Sequence, residues 1–228
     1  MVNLPVGLQA DAVIFDFDGV IVDTEPLHYK SFQRILEPLG FGFSWQEYVD
    51  TYMGFDDRDA FREAFAVHNR PLDAEMLHSL VEQKAQVFQT VIQDGLTVYT
   101  GVTELIKKLH HCRVPLAISS GALRSDIAPI LRQLGITHCF EVIVSADDVA
   151  KSKPDPESYR LASEKLNELA GTTLARTIAI EDTPAGIAAA KGAGLPVIGI
   201  TNSYPKEFIS DATVVIDSLV ELLPFVHS

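Results

Sequence analysis

Asp16 and Asp18 flank a phenylalanine and precede Gly19, directly after the apolar run Val13-Ile14-Phe15. If extended geometry persists past that run, residues i and i+2 face the same way and the two carboxylates share one side. Close carboxylates repel each other, unless a cation lies between them or one of them is protonated. Mg2+, a hard ion that takes carboxylate and water oxygens, suits such a pair. Two solvated loop acids are the alternative that so short a pattern leaves open. Further along, a second acidic pair, Glu181-Asp182, follows the apolar run Thr177-Ile-Ala-Ile180. The hydroxyls of Ser119 and Ser120 follow Pro115-Leu-Ala-Ile118, and Lys151-Ser-Lys153-Pro154 precedes a helical pattern.

These residues need a frame that brings them together. Short apolar runs at 12–15, 115–118, 141–144, 177–180 and 196–200 read as buried strands, and Thr213-Val-Val-Ile216 as an edge strand. Continuous apolar strands separated by helices imply a parallel sheet covered on both faces, a doubly wound, Rossmann-like α/β core. In such a sheet the carboxyl ends of the strands meet on one rim, so both acidic pairs, a hydroxyl and a lysine converge there. The helices are punctuated by Asp155-Pro156 and Thr183-Pro184 at their starts and by Gly135, Gly171 and Gly194 at their ends. Val102, Leu105, Ile106 and Leu109 form a helical stripe before the second strand.

One interval breaks the alternation. Residues 25–94 carry helical patterns and no convincing strand: a helix from Pro26 to Gly40, a capping box at Ser44-Trp-Gln-Glu47, a third helix marked by Phe61, Ala64, Phe65 and His68, and a longer one from about Asp73 to Ile92. The expected organisation is therefore a catalytic core of 1–24 and 95–228 with a helical cap domain, 25–94, inserted after the first strand.

The net charge of −13 opposes binding to nucleic acid or to an anionic membrane. No apolar stretch reaches the roughly 20 residues that span a bilayer, and the start, Met1-Val-Asn-Leu-Pro5, lacks the basic and apolar segments of a secretory signal. Two cysteines in 228 residues, 47% of them apolar, need no disulfide, which places the chain in a reducing cytoplasm. His110-His111-Cys112 suggests metal, but the sequence offers no second ligand cluster at suitable spacing, and that reading is set aside.

Taken in order, Asp16-Phe-Asp18-Gly-Val, Ser119, Lys153-Pro154 and Glu181-Asp182-Thr-Pro-Ala-Gly resemble the four motifs of the haloacid dehalogenase-like hydrolases. The resemblance covers essentially the whole chain, and Asp18-Gly-Val-Ile-Val-Asp23-Thr-Glu-Pro-Leu-His28 is similar to the β-phosphoglucomutase and sugar-phosphate phosphatase branch. It implies that Asp16 attacks phosphorus and forms an aspartyl-phosphate. Asp18 then serves as general acid to the leaving oxygen and as general base to water. Asp16, the backbone carbonyl of Asp18 and Asp182 hold Mg2+, with Glu181 orienting the set from behind. Ser119, Ser120 and Lys153 bind phosphoryl oxygens. Dehalogenases of this superfamily lack the second aspartate, so Asp18 and Asp182 argue against halide displacement.

The expected substrate is a small phosphorylated metabolite, a sugar phosphate foremost, handled by a monomer. Lys84 lies in the helical stripe of Leu77, Leu80, Val81, Phe88 and Val91, where it must snorkel or meet an anion. His28 shares a face with Phe32, Ile35 and Leu39. Both match substrate-contacting positions of the sugar-phosphate branch; Thr24, at the hinge, and Arg58, displaced by one position from the mutase's cap arginine after Gly54, complete that expected set. The hinges are expected at Thr24-Glu25 and Gly95-Leu96, letting the cap open and close. Two other functions compete with phosphatase. A mutase needs polar side chains after the second strand, where Ser120-Gly-Ala-Leu123 supplies little. A phospho-acceptor or regulatory protein on this fold would not need every turnover residue, and receiver domains carry no large insert after the first strand.

Overall fold

The computed structural model describes residues 2–3, 7–53, 55 and 57–226. Met1, Leu4 and Pro5 of the N-terminal segment, and Gly54, lie outside the described residues. The chain forms two compact units, one running up to Asp23 and again from Thr97, the other being Thr24–Leu96.

The first unit is built on six parallel strands: β1 (Ala12–Phe15), β2 (Leu116–Ser119), β3 (Val142–Val144), β4 (Thr177–Glu181), β5 (Val197–Ile200) and β6 (Val214–Ile216), in the order β6-β5-β4-β1-β2-β3. Each begins or ends within a residue or two of its apolar run, and Val214–Ile216 is an edge as the sequence suggests. Ala12 and Ile14 pack with Ala117, Val142, Tyr159, Ala162, Ile187 and Ala190 in one core cluster, while Val13 and Phe15, pointing to the other face, are equally buried. Both faces of the sheet are thus covered, which is why its strands read as unbroken apolar runs.

Among the described residues, four α-helices of nine residues or more belong to this unit: α4 (Val102–His111), α5 (Arg124–Gln133), α6 (Glu157–Ala170) and α7 (Pro184–Gly192). Three of that size precede them in the other unit: α1 (Glu25–Leu36), α2 (Asp57–Val67) and α3 (Ala74–Val91). Thr183 caps α7 as expected, its side chain accepting from the Gly186 N–H. Helix α6 differs: it starts at Glu157, one residue later than the Asp155-Pro156 pattern suggests, because Asp155 Oδ1 accepts from the Glu157 N–H at 3.1 Å and closes a turn ahead of the helix. Among the described residues no helix is long and apolar enough to cross a membrane.

The second unit has its own aromatic core, in which Phe32, Phe41, Phe43, Tyr48, Tyr52, Phe61 and Phe65 pack with Leu36 and Leu80. Helix α1 does not reach Gly40. Pro38 has no N–H for an α-helical bond and restricts the residue before it, so the α-helix ends at Leu36 and a 3-10 turn, Glu37–Leu39, carries the chain to Gly40. Leu39 consequently leaves the face shared by His28, Phe32 and Ile35 and is exposed. The capping box at Ser44 and Glu47 forms, but it opens only one α turn before a π-helical segment, Tyr48–Tyr52. In the first unit, Val22–Asp23 and Thr97–Val98 pair antiparallel, so the chain leaves for the helical unit and returns from it side by side.

Candidate active site

The register of the sheet assembles the site. Phe15 lies level with Ile118 on one side and Ile180 on the other, so the next residue of each strand path, Asp16, Ser119 and Glu181, falls in one row. The Asp16 N–H donates to the Ile180 carbonyl at 2.9 Å, which carries the pairing one residue past β1. The chain then turns sharply: the Gly19 N–H bonds to Val22 O, and those of Ile21 and Val22 to Phe17 O. Gly19 has φ +78, and a Cβ there would lie 1.8 Å from Asp182 Oδ2. No side chain is tolerable where this turn meets the second acidic pair.

Lys153 joins the row from the loop after β3, preceding a cis peptide to Pro154. Its Nζ lies 2.8 Å from Asp16 Oδ1, 2.6 Å from Glu181 Oε1 and 3.0 Å from the Ser119 carbonyl. Glu181 has both oxygens engaged. Oε1 also accepts from Tyr159 Oη at 2.9 Å, and Oε2 accepts from the Asp182 and Thr183 N–H groups and the Thr183 hydroxyl at 3.0–3.2 Å. Helix α7 approaches it so closely that a Cβ on Gly186 would fall 1.8 Å from Oε1. Ser120 Oγ accepts from the Ala122 N–H at 2.9 Å and stands 3.4 Å from Asp18 Oδ2, at the weak limit of a hydrogen bond.

The charges of Glu181, Asp182 and Asp18 all act on Asp16, with Lys153 opposing them. Burial, then the Glu181 charge, holds the Asp16 carboxyl well above the usual range despite Lys153. Burial and Glu181 likewise push Asp182 up to about 7, against the opposing pull of Ser203 and Lys153. Burial alone would lower Lys153, but Asp16 and Glu181 outweigh it and raise the ammonium's pKa. Burial and Glu181 lift Tyr159 well above the ordinary phenol.

Two buried polar atoms at this rim have no hydrogen-bond partner among the described residues, Asp182 Oδ1 and Ser119 Oγ. Buried polar groups are rarely left so. One carboxylate oxygen from each of Asp16, Glu181 and Asp182 lies within 4.8 Å of the others. An all-oxygen acidic set with an unsatisfied carboxylate oxygen fits a hard divalent cation. An unsatisfied hydroxyl in the same row as Asp16 fits an acceptor-rich anion.

The family model for haloacid dehalogenase-like hydrolases matches residues 13–200. The chain is a haloacid dehalogenase-like hydrolase. Within that family it lies in the sugar-phosphate branch. It is 30% identical, over 92% of its length and 94% of the relative's, to a validoxylamine A 7'-phosphate phosphatase of Streptomyces hygroscopicus subsp. limoneus. It is 31% identical to a phosphorylated carbohydrates phosphatase of Thermotoga maritima, covering 85% of this chain and 86% of that one. Among solved structures, CbbY from Rhodobacter sphaeroides in complex with phosphate superposes with a TM-score of 0.79 at 27% identity, over 94% of this chain and 99% of the other. The parallel α/β sheet flanked by helices is the fold shared with this solved structure.

Of the residues singled out from sequence, Asp16, Asp18, Ser119, Ser120, Lys153, Glu181 and Asp182 come together in the first unit. Thr24, His28, Arg58 and Lys84 belong to the second. There Lys84 meets an anion of the protein's own: its Nζ lies 2.6 Å from Asp57 Oδ1 and 2.6 Å from His28 Nδ1, above the faces of Phe32 and Phe88. Burial and the Lys84 charge press His28 well below the ordinary imidazole. Arg58, on the first turn of α2, is exposed, and its neighbour Asp57 takes the contact. Thr24 is buried at the start of α1, where its carbonyl accepts from the Leu27 and His28 N–H groups.

Three residues of the core site escaped sequence reasoning. Tyr159 sits under Glu181 and Lys153, its ring 5.0 Å from Nζ. Asn202 Nδ2 donates to the Gly19 carbonyl at 2.6 Å, and Ser203 hydrogen-bonds Asp182. Asn202 and Ser203 follow β5, so reading the carboxyl end of that strand as well would have found them.

Proposed function

We propose that this hydrolase cleaves the phosphate ester of a small sugar phosphate with Mg2+, through a phosphoryl group carried on Asp16. The observation that carries the reading is the row of Asp16, Ser119 and Glu181 around Lys153, with Ser119 Oγ and Asp182 Oδ1 unsatisfied beside it. Asp16, Asp182 and the Asp18 carbonyl would hold the ion, whose chemistry is to neutralise charge on the carboxylates and the phosphoryl oxygens. Glu181, saturated by protein donors, orients Lys153 and Asp182 instead.

A carboxylate oxygen of Asp16 forms a bond to phosphorus while the bond to the sugar oxygen breaks. Asp18 gives that oxygen its proton. It then takes a proton from water, whose oxygen attacks the same phosphorus, releasing inorganic phosphate and restoring Asp16. Lys153 opposes the burial and the Glu181 charge that raise the Asp16 carboxyl, and with Ser119 and Ser120 it would bind phosphoryl oxygens. Thr24, His28, Lys84 and Arg58 are the proposed sugar contacts; the Lys84–Asp57 pair gives Lys84 a structural role as well.

The test is phosphate release from a panel of sugar phosphates with Mg2+, beside isomerisation of β-glucose 1-phosphate. Steady release, lost in EDTA and in Asp16→Asn, supports the proposal. Isomerisation with little release makes the protein a mutase, and turnover by Asp16→Asn removes Asp16 as the nucleophile.

A further inference from the structure

A second group of ligating side chains forms at the opposite end of the strands. His110 lies in the last turn of α4, and His138 and Cys139 lie on the short helical turn Thr137–Cys139. Helix α4 leads into the start of β2 and the turn into the start of β3, so this group lies at the amino ends of the strands. The Asp16 row lies at their carboxyl ends.

A nitrogen of each imidazole and Cys139 Sγ all lie within 4.8 Å of one another. His138 Nε2 is 3.6 Å from Sγ, and the two imidazole rings meet edge to face, 5.5 Å between centroids at 87°. A tetrahedral zinc ion, with bonds of roughly 2.0–2.1 Å to nitrogen and 2.3 Å to sulfur, separates two such ligands by about 3.5 Å. His138 and Cys139 therefore already stand at ligating distance. Cys139 is fully buried, His110 half-buried and His138 exposed, which leaves solvent access from the His138 side. Lys107 and Glu141 are charged neighbours of the thiol and oppose each other in sign.

We propose that His110, His138 and Cys139 bind a Zn2+-class ion, with water as fourth ligand, at a site separate from the acidic row. Two imidazoles and a thiolate select a borderline ion over Mg2+. The thiol proton passes to solvent as sulfur binds. The ion fastens the end of α4 to the turn that enters β3. Cys112, two residues after His110, is the sulfur that the sequence brings to mind; the fold presents Cys139 in its place.

The experiment titrates chelator-treated protein with Co2+ and then Zn2+, in millimolar Mg2+ to keep the acidic row occupied by a hard ion. The expected result is one equivalent of Co2+ giving a thiolate charge-transfer band in the near ultraviolet and tetrahedral bands in the visible. Cys112→Ser retains them and Cys139→Ser loses them. His138→Gln, at an exposed position, lowers Zn2+ affinity by at least the roughly 10–100-fold that loss of a supporting residue costs, and stands as the test if Cys139→Ser does not fold. No thiolate band in the unaltered protein, a band that follows Cys112, or unchanged affinity in His138→Gln overturns the proposal. None of these readouts depends on phosphatase activity.

Discussion

Replacing Asp182 by asparagine is expected to stabilise the metal-free protein and to end its response to Mg2+. In the folded chain, burial and Glu181 raise the Asp182 carboxyl from 3.8 to about 7. Folding therefore favours the protonated form: the stability is fully present below the ordinary carboxylate pKa near 3.8 and is lost as pH rises through about 7. The difference of about 3 pKa units corresponds to on the order of 4 kcal/mol that the ionised group costs above pH 8. Asparagine keeps the shape and an acceptor for Ser203 but carries no charge. At pH 8 without metal, Asp182→Asn should be more stable than the parent by up to about 4 kcal/mol. At roughly 2–4 °C per kcal/mol this is a rise in melting temperature of about 8–16 °C. Near pH 4 the gain should shrink to under about 1 kcal/mol, because Asp182 is then protonated in the folded parent as well. Adding Mg2+ at pH 8 should raise the parent's melting temperature and leave the variant's unchanged. Thermal unfolding with and without EDTA at pH 4, 6 and 8 measures all of these. A variant no more stable than the parent at pH 8, or equally stabilised at pH 4 and pH 8, would refute the electrostatic account of this rim.

Tyr159→Phe removes one donor from Glu181 Oε1 while leaving Lys153 on it; it should cost roughly 1–3 kcal/mol of stability by urea unfolding and lower kcat more than it changes KM. Gly186→Ala forces a methyl into the Glu181 carboxylate, so a loss of at least about 1–3 kcal/mol is expected, and phosphate release should fall with it. Asp57→Asn leaves the Lys84 ammonium buried without its carboxylate, at a cost of roughly 3–5 kcal/mol, visible as a lower urea midpoint.

The six strands were legible because burial on both faces writes each one as a continuous apolar run, from Ala12–Phe15 to Val214–Ile216. The rim residues were legible for a related reason: Asp16, Ser119 and Glu181 each directly follow or end such a run. Tyr159 was not, since an aromatic on the inner face of α6 looks like ordinary core. Its hydroxyl needs a partner when buried, and that partner, Glu181, is 22 residues away. The Lys84–Asp57 pair hid for the same reason, because helical periodicity places Lys84 on an apolar face without saying which acid from another helix reaches it. The early end of α1 was readable in principle from Pro38. Cys139 and His110 meet only because α4 and the Thr137–Cys139 turn finish at the same end of the strands, which spacing along the chain does not express.

The antiparallel pairing of Val22–Asp23 with Thr97–Val98 brings the two ends of the helical unit to within one strand spacing, about 4.8 Å. A tight turn could join Asp23 to Thr97 across so short a gap, leaving the pairing of β1 with β2 and β4 untouched. The helical unit thus enters and leaves the core at one paired site, and the register that sets Asp16 beside Ser119 and Glu181 rests on strand pairings outside it. On the proposed sugar contacts of His28 and Lys84, replacing Thr24–Leu96 would alter substrate preference while the row of acids and its lysine stay in the other unit.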